Sequence, residues 1–397
     1  MDLCWNLRKI FKLAGLVLTG FGFMQPAHAK WREASSEHFV IYADEREHSL
    51  RRFTESLENF HAALKLILAT EPDTPSPSNR VTIYQVDSQK DVRELIGSKS
   101  RYIQGFYVPS AGGSLAIVPD GIYGGKRISS SMSVLLHEYA HHFQYAASTA
   151  PPVKWLTEGS AEFWAAASFE RDGTVNVGGV PMSRAHELLN LPKVPIEQLL
   201  DSDLYEANRG RSYDSFYGRS WLLYHYLIFN KERQGQLMQY MRLVRTGTPS
   251  LEAGKQAFGD LDQLEKELSA YLMSRRMKTF SLKPGMLEIG DITIRELRDG
   301  EAAIMPTKIV SKTGVDEESA QEVLMDARKI AARFPDDAVV LAELSEAELD
   351  AGNIDQAVAS ADAAIGRDDA YADAYVRKIF MHSSRRLMPK ECATHIC

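Results

Sequence analysis

An α+β fold is predicted by three features of the sequence. Short β-patterned runs crowd the stretch from Lys30 to about Asp120, and residues from about Ser131 to Leu282 carry almost unbroken helical patterning. Beyond residue 315 the chain turns into Ala-rich helices whose small residues recur at an offset of 34. Strands followed by helices give the α+β arrangement, and 397 residues suggest two or three domains. A hydrophobic content of 44% beside 25% charged residues supplies a sizeable core without making the chain a membrane protein.

Residues 1–29 stand apart. Arg8, Lys9 and Lys12 precede an uncharged, mostly apolar run from Leu13 to Met24, and Gln25-Pro26-Ala27-His28-Ala29 ends in a small-x-small pattern. That is the make-up of a signal peptide. The apolar run of about 12 residues falls short of the ~20 that a spanning helix needs, so a retained anchor is the weaker alternative. A periplasmic or secreted protein with no stable membrane span after cleavage is therefore expected. Cys4 leaves with this segment, and Cys392 and Cys397 in the tail are no disulfide framework. The formal charge of -7 becomes about -9 once three basic and one acidic residue are removed. Without a basic cluster, nucleic acid is excluded as a partner.

From Lys30 the elements follow in order. His38–Tyr42 reads as a strand, with Asp44 available to cap a helix from about Glu45 to Leu68. Arg80–Tyr84 reads as a second strand after the Pro- and Ser-rich turn at 72–79. Gly105–Val108 and Ser114–Val118 read as two more, joined by a Gly-Gly turn. Residues 30–282 thus form the main domain, 283–314 a linker or small β element, 315–380 the helical repeats, and 381–397 an unassigned tail. In the repeats, Ala327 aligns with Ala361, Ala338 with Ala372 and Leu341 with Tyr375, with Gly352-Asn353 as a turn. This resembles a short tetratricopeptide-repeat segment, whose earlier helix falls at about Glu317–Phe334. The alternative is a plain Ala-rich hairpin. The resemblance implies a possible protein partner at the repeats.

The chemistry concentrates in His137-Glu138-Tyr139-Ala140-His141. On a helix, residues four apart share a face, so the imidazoles of His137 and His141 can share one ion. Glu138 sits one step round the helix, able to reach a water beside the metal without being a ligand. Val134, Leu135, Leu136, Tyr139 and Phe143 give the segment apolar faces, and Ser129, Ser130 and Ser131 offer caps. His142 is expected to be structural or exposed. A catalytic zinc needs a third protein ligand and an open position. The extended metzincin motif is absent, because Gln144 and Ala147 stand where its glycine and third histidine belong.

Downstream, Trp155-Leu156-Thr157-Glu158-Gly159-Ser160-Ala161-Glu162-Phe163-Trp164 resembles the second zinc helix of the gluzincins, the class that includes thermolysin-like peptidases and zinc aminopeptidases. The resemblance implies a zincin-like metallopeptidase domain binding one Zn²⁺ through His137, His141 and Glu158. It makes Glu138 the general base, and Glu162 the carboxylate that receives the other ring N–H of a zinc histidine. It also implies an electrophile from a later helix. Tyr213-Asp214-Ser215-Phe216-Tyr217-Gly218-Arg219-Ser220-Trp221 resembles that helix, with Tyr217 preferred and Tyr213 or His225 as alternatives. The tyrosines also fit a core stripe at i, i+4, i+8 with Trp221. By analogy with related enzymes, Ser114–Val118 would be an edge strand that pairs with an extended substrate. The motif by which zinc aminopeptidases bind a free N-terminus is absent. The expectation is an exported zinc endopeptidase acting on peptide or protein. An inactive zincin-fold scaffold and a zinc hydrolase of a non-peptide amide remain as alternatives.

Overall fold

The computed structural model describes residues 30–70, 72–95, 105–108, 113–119, 128–147, 152–210, 212–274 and 276–387. The expected signal segment and residues 388–397 lie outside the described residues. β1 (Arg32–Ser35) and β2 (Phe39–Ala43) lead into α1 (Glu47–Leu68), followed by β3 (Val81–Val86), α2 (Gln89–Leu95), β4 (Phe106–Val108) and β5 (Leu115–Pro119). Next come α3 (Ser130–Ala147), α4 (Lys154–Ala165), β6 (Ser168–Phe169), β7 (Val175–Val177) and α5 (Met182–Asn190). Four short helices surround a longer one: α6 (Ile196–Leu200), α7 (Ser202–Asn208), α8 (Phe216–Phe229), α9 (Gln236–Arg245) and α10 (Ser250–Phe258). Then α11 (Leu261–Leu272), β8 (Phe280–Leu282) and β9 (Thr293–Glu296) precede the closing helices α12 (Asp299–Thr313), α13 (Glu317–Arg333), α14 (Ala338–Asp350), α15 (Ile354–Arg367) and α16 (Ala372–Leu387).

Six strands form the main sheet in the order β4-β5-β3-β2-β1-β9. β2, β3 and β5 run parallel, while β4, β1 and β9 pair antiparallel with their neighbours. Parallel strands are stable when both faces are covered, and the period-two side-chain pattern shows how. Phe39, Ile41, Val81, Ile83, Ala116 and Val118 enter one core, whereas Tyr42, Tyr84, Val86 and Ile117 enter the other. α1 covers the first face with Leu50, Phe53, Leu57 and Phe60, joined by Met132, Leu136, Tyr139 and Phe143 of α3. Each such side chain contributes ~1.5–3 kcal/mol on burial. α2 and α12 cover the second face through Val92, Met305 and Ile309. A slip of one residue in any of these strands would swap the two cores.

The chain is therefore mixed α+β, with the sheet early and helices late, and several details depart from the sequence-based expectation. The stretch 131–282 is not wholly helical: β6, β7 and β8 form a second, three-stranded sheet. Strands of two or three residues are too short to show a period. β5 is not an edge strand, because β4 pairs along its outer side. α1 starts at Glu47 behind Arg46, with no side-chain cap, so Asp44 does not cap it. Within residues 283–314, β9 is a small β element of the kind expected; it extends the main sheet beside β1, and α12, which was not expected there, packs beneath it. α12, α14 and α16 touch one another in a row, with α13 and α15 packed outside them. Ala327 and Ala361, aligned by the 34-residue offset, are both fully buried, and Gly352 turns α14 into α15 with φ +81°. α16 runs on past residue 380 to Leu387. Among the described residues, no helix is long and apolar enough to cross a membrane.

Candidate metal centre

α3 begins where the Ser129 Oγ accepts the backbone N–H of Met132 at 3.2 Å, a side-chain cap of the expected kind. Leu135, Leu136, Tyr139, Ala140 and Phe143 are buried and fix the helix by its apolar side. From behind, the Tyr139 hydroxyl is hydrogen-bonded to Nδ1 of His61 at 2.7 Å. Burial, and then nearby His38, push the His61 pKa down to about 3, so this buried ring stays neutral. His142 is half-buried and bonds Ser114 Oγ at 3.3 Å, a structural place. His137 and His141 are left on the opposite side with their rings 4.7 Å apart.

α4 is anchored by buried Trp155, Ala161, Phe163 and Trp164. The Ser133 hydroxyl donates to the Ala165 carbonyl at 2.9 Å, so the start of α3 meets the end of α4 and the helices run antiparallel. This brings Glu158 to the histidines. Its Oε2 lies 3.3 Å from His137 Nε2 and 3.5 Å from His141 Nε2, and the two nitrogens are 3.1 Å apart. Ligands at ~2.0–2.1 Å in a tetrahedral set stand about 3.3 Å from one another. The three donors thus form a triangle of the size that could hold one metal ion.

The charges of the site are mutually compensating. Burial disfavours a charged His137, but the hydrogen bonds it donates to Glu158 and Glu162 overcome it and hold the pKa up at about 9. Glu158 answers in kind: burial would raise it, yet the two histidines bring it down to about 2. Glu162, buried one turn beyond Glu158, reaches His137 Nδ1 at 3.1 Å. That contact leaves His137 Nε2 free to face the other two donors. Among the described residues, His141 Nδ1 is buried without a comparable partner.

Glu138 is half-buried and is not one of the converging donors. Its carboxylate acts on two tyrosines that no sequence pattern singles out. Tyr107 on β4 is lifted to about 12 by burial, with Glu138 adding to the rise. Tyr145, exposed and roughly parallel to the His141 ring, is raised by burial and by Glu158 and Glu138.

α8 brings the remaining candidate. Gly159 faces Ser220 so closely that a Cβ there would stand 2.3 Å from the Ser220 carbonyl oxygen. The glycine of the Glu-Gly-Ser-Ala run is thus the contact point of α4 with α8. Tyr217, in the first turn of α8, is half-buried, and burial together with the Glu158 carboxylate lifts its hydroxyl to about 12. It remains a proton donor at neutral pH. Tyr213 precedes the helix and is 68% exposed, so no core stripe of Tyr213, Tyr217 and Trp221 forms. His225 is fully buried; its Nε2 meets the carbonyls of Gly178 and Lys278 at 2.9 and 3.0 Å, and Nδ1 meets the Tyr271 hydroxyl at 2.8 Å. With both nitrogens engaged it is a core histidine and not an alternative electrophile.

Arg184 and Glu187 of α5 were not foreseen from sequence. Arg184 Nη2 donates to Glu162 Oε1 at 2.7 Å, and its Nη1 pairs with Glu187. Nothing in the local pattern distinguishes this Arg–Glu pair from an ordinary exposed one. No family profile and no curated protein matches the chain.

Proposed function

We propose that the protein is an exported zinc-dependent endopeptidase of gluzincin type. The observation that carries this reading is the convergence of His137 Nε2, His141 Nε2 and Glu158 Oε2 at mutual distances of 3.1 to 3.5 Å. Two imidazoles and a carboxylate are a donor set suited to Zn²⁺. When bound, zinc supplies a water of lowered pKa and polarises the scissile carbonyl.

The chain's own residues supply the rest. Glu138 takes the proton of the attacking water and delivers it to the leaving amine, a role worth ~10²–10⁴-fold. Glu162 holds His137 in one tautomer. Tyr217 donates its hydroxyl to the developing oxyanion. β4, the outer strand of the sheet among the described residues, takes the place of β5 as the strand that an extended peptide would pair with. The closing helices are read as tetratricopeptide-like. Since α12 lies against the sheet, a protein partner would meet α13, α15 or the outer side of α16. The apolar segment at residues 13–24 supports export to the periplasm or beyond.

The test combines metal analysis of the gently purified protein with cleavage of a mixed peptide library by wild type and Glu138→Gln. The expected result is zinc near one per chain and cleavage that Glu138→Gln abolishes. A protein without zinc would sink the reading. Zinc without peptide cleavage would turn it towards a scaffold or a hydrolase of another amide.

A further inference from the structure

We propose that Arg184 is a positioning residue that locks the metal-binding half of the centre to the half that carries Tyr217. The role of Tyr217 in this proposal rests on the peptidase reading; the metal side does not.

The contacts run without a gap from one half to the other. His137 Nδ1 meets Glu162 Oε1 at 3.1 Å, and the same oxygen accepts from Arg184 Nη2 at 2.7 Å. The other arm of the guanidinium pairs with Glu187, one turn along α5. Glu187 Oε2 in turn accepts the backbone N–H of Gly218 at 3.2 Å, the residue next to Tyr217. The guanidinium carbon also lies 4.8 Å from the centre of the Tyr217 ring, within cation–π range. α5 approaches α8 this closely because position 218 is glycine: a Cβ there would stand 2.9 Å from Leu188 Cγ and 3.1 Å from the Arg184 carbonyl oxygen.

Chemistry explains why the residue is arginine. Glu162 and Glu187 are both about 4% exposed, and two carboxylates so placed need a shared cation. A flat fork can engage both and lie on an aromatic ring, whereas a lysine ammonium is a point charge that meets one partner at a time. Arg184 thereby fixes the carboxylate that orients a donor histidine and the ring of the proposed oxyanion donor in one act.

The experiment uses the full-length protein. Zinc affinity is measured by competition with a chromophoric chelator for wild type, Arg184→Lys and Arg184→Met. Peptide cleavage is then followed at saturating zinc, with Tyr217→Phe alone and combined with Arg184→Met. Both Arg184 variants are expected to bind zinc ~10–100-fold more weakly, the range for residues that orient a ligand from behind. At saturating zinc, kcat should fall with KM unchanged, and Arg184→Met should add little on the Tyr217→Phe background. Zinc affinity within about threefold of wild type in the folded variants, or fully additive losses in kcat, would overturn the proposal. Should Arg184→Met fail to fold, Arg184→Lys keeps the charge and decides the zinc measurement. Zinc binding that depends on Arg184 without peptide cleavage sinks the peptidase reading alone. Cleavage with zinc affinity indifferent to Arg184 sinks this proposal alone.

Discussion

Replacing Gly159 by alanine tests how α4 and α8 share the site. The new Cβ would stand 2.3 Å from the Ser220 carbonyl oxygen and 2.6 Å from its carbon, where ordinary contact begins at 3.4 Å. Both obstructing atoms are backbone, so no side chain can swing away, and α8 must retreat by about 1 Å. Alanine gains up to ~1 kcal/mol of intrinsic helix preference over glycine. Overpacking that must shift backbone lies at the upper end of the ~1–3 kcal/mol range, which leaves a net loss of about 2 kcal/mol. The retreat carries Tyr217 away from Glu158, and a displacement of about 1 Å in a catalytic group can cost ~10²-fold in rate. The three candidate metal donors sit on α3 and α4, not on α8, so zinc affinity should change little. Urea unfolding, peptide turnover and zinc titration on one preparation report all three. A Gly159→Ala protein as stable as wild type, or one that loses zinc while keeping its stability, would refute the reasoning.

Other perturbations follow from the same geometry. Tyr217→Phe should retain zinc and lose ~10²–10³-fold in kcat, the cost of one oxyanion donor; a silent substitution removes Tyr217 from the mechanism. His225 is held neutral, chiefly by burial, with its pKa down at about 4. The unfolded chain, with a histidine pKa near ~6.5, binds that proton more readily, so stability is full above pH ~6.5 and falls as pH drops towards 4. The loss should be about 2 kcal/mol at pH 5, and His225→Gln should flatten that slope in urea melts at pH 8 and pH 5. Glu343 is 2% exposed and lies between Lys308 Nζ at 3.3 Å and Arg377 Nη2 at 3.0 Å, both of them also buried. Glu343→Ala takes the carboxylate from buried Lys308 and leaves Arg377 only Glu346, at 3.3 Å, so it should cost ~3–5 kcal/mol. Denaturation and trypsin sensitivity of α14–α16 would show it, and a loss under about 1 kcal/mol would refute it.

What could be read from sequence was local. His137 and His141 reveal their shared face by spacing alone, and Ser129 announces a helix start. Glu158 became visible through the pattern around it, whose glycine turns out to be a packing requirement of α8. Tyr217 could not be separated from Tyr213 or His225, because tyrosine at helical spacing suits a core as well as a site; only the start of α8 and the buried bonds of His225 separate them. Arg184 was invisible, since Glu162, the partner that ties it to the site, lies 22 residues upstream on another helix. The order of strands was equally hidden. Nothing within Ser114–Val118 tells that β4 will lie outside it, or that a strand from beyond residue 290 will reach β1.

That last pairing has a consequence for how the chain folds. Arg32 meets Glu296 across a sequence separation of 264 residues, and Lys30 and Glu33 add ion pairs to the same seam. Contacts between such distant segments form late, because the entropy of closing so long a loop must be met before they return any stabilisation. Until residue 296 arrives, β1 is a bare edge whose open backbone groups can pair with any passing strand. The protein therefore finishes its first sheet with one of its last segments. Its most aggregation-prone interval is the one before β9 covers β1.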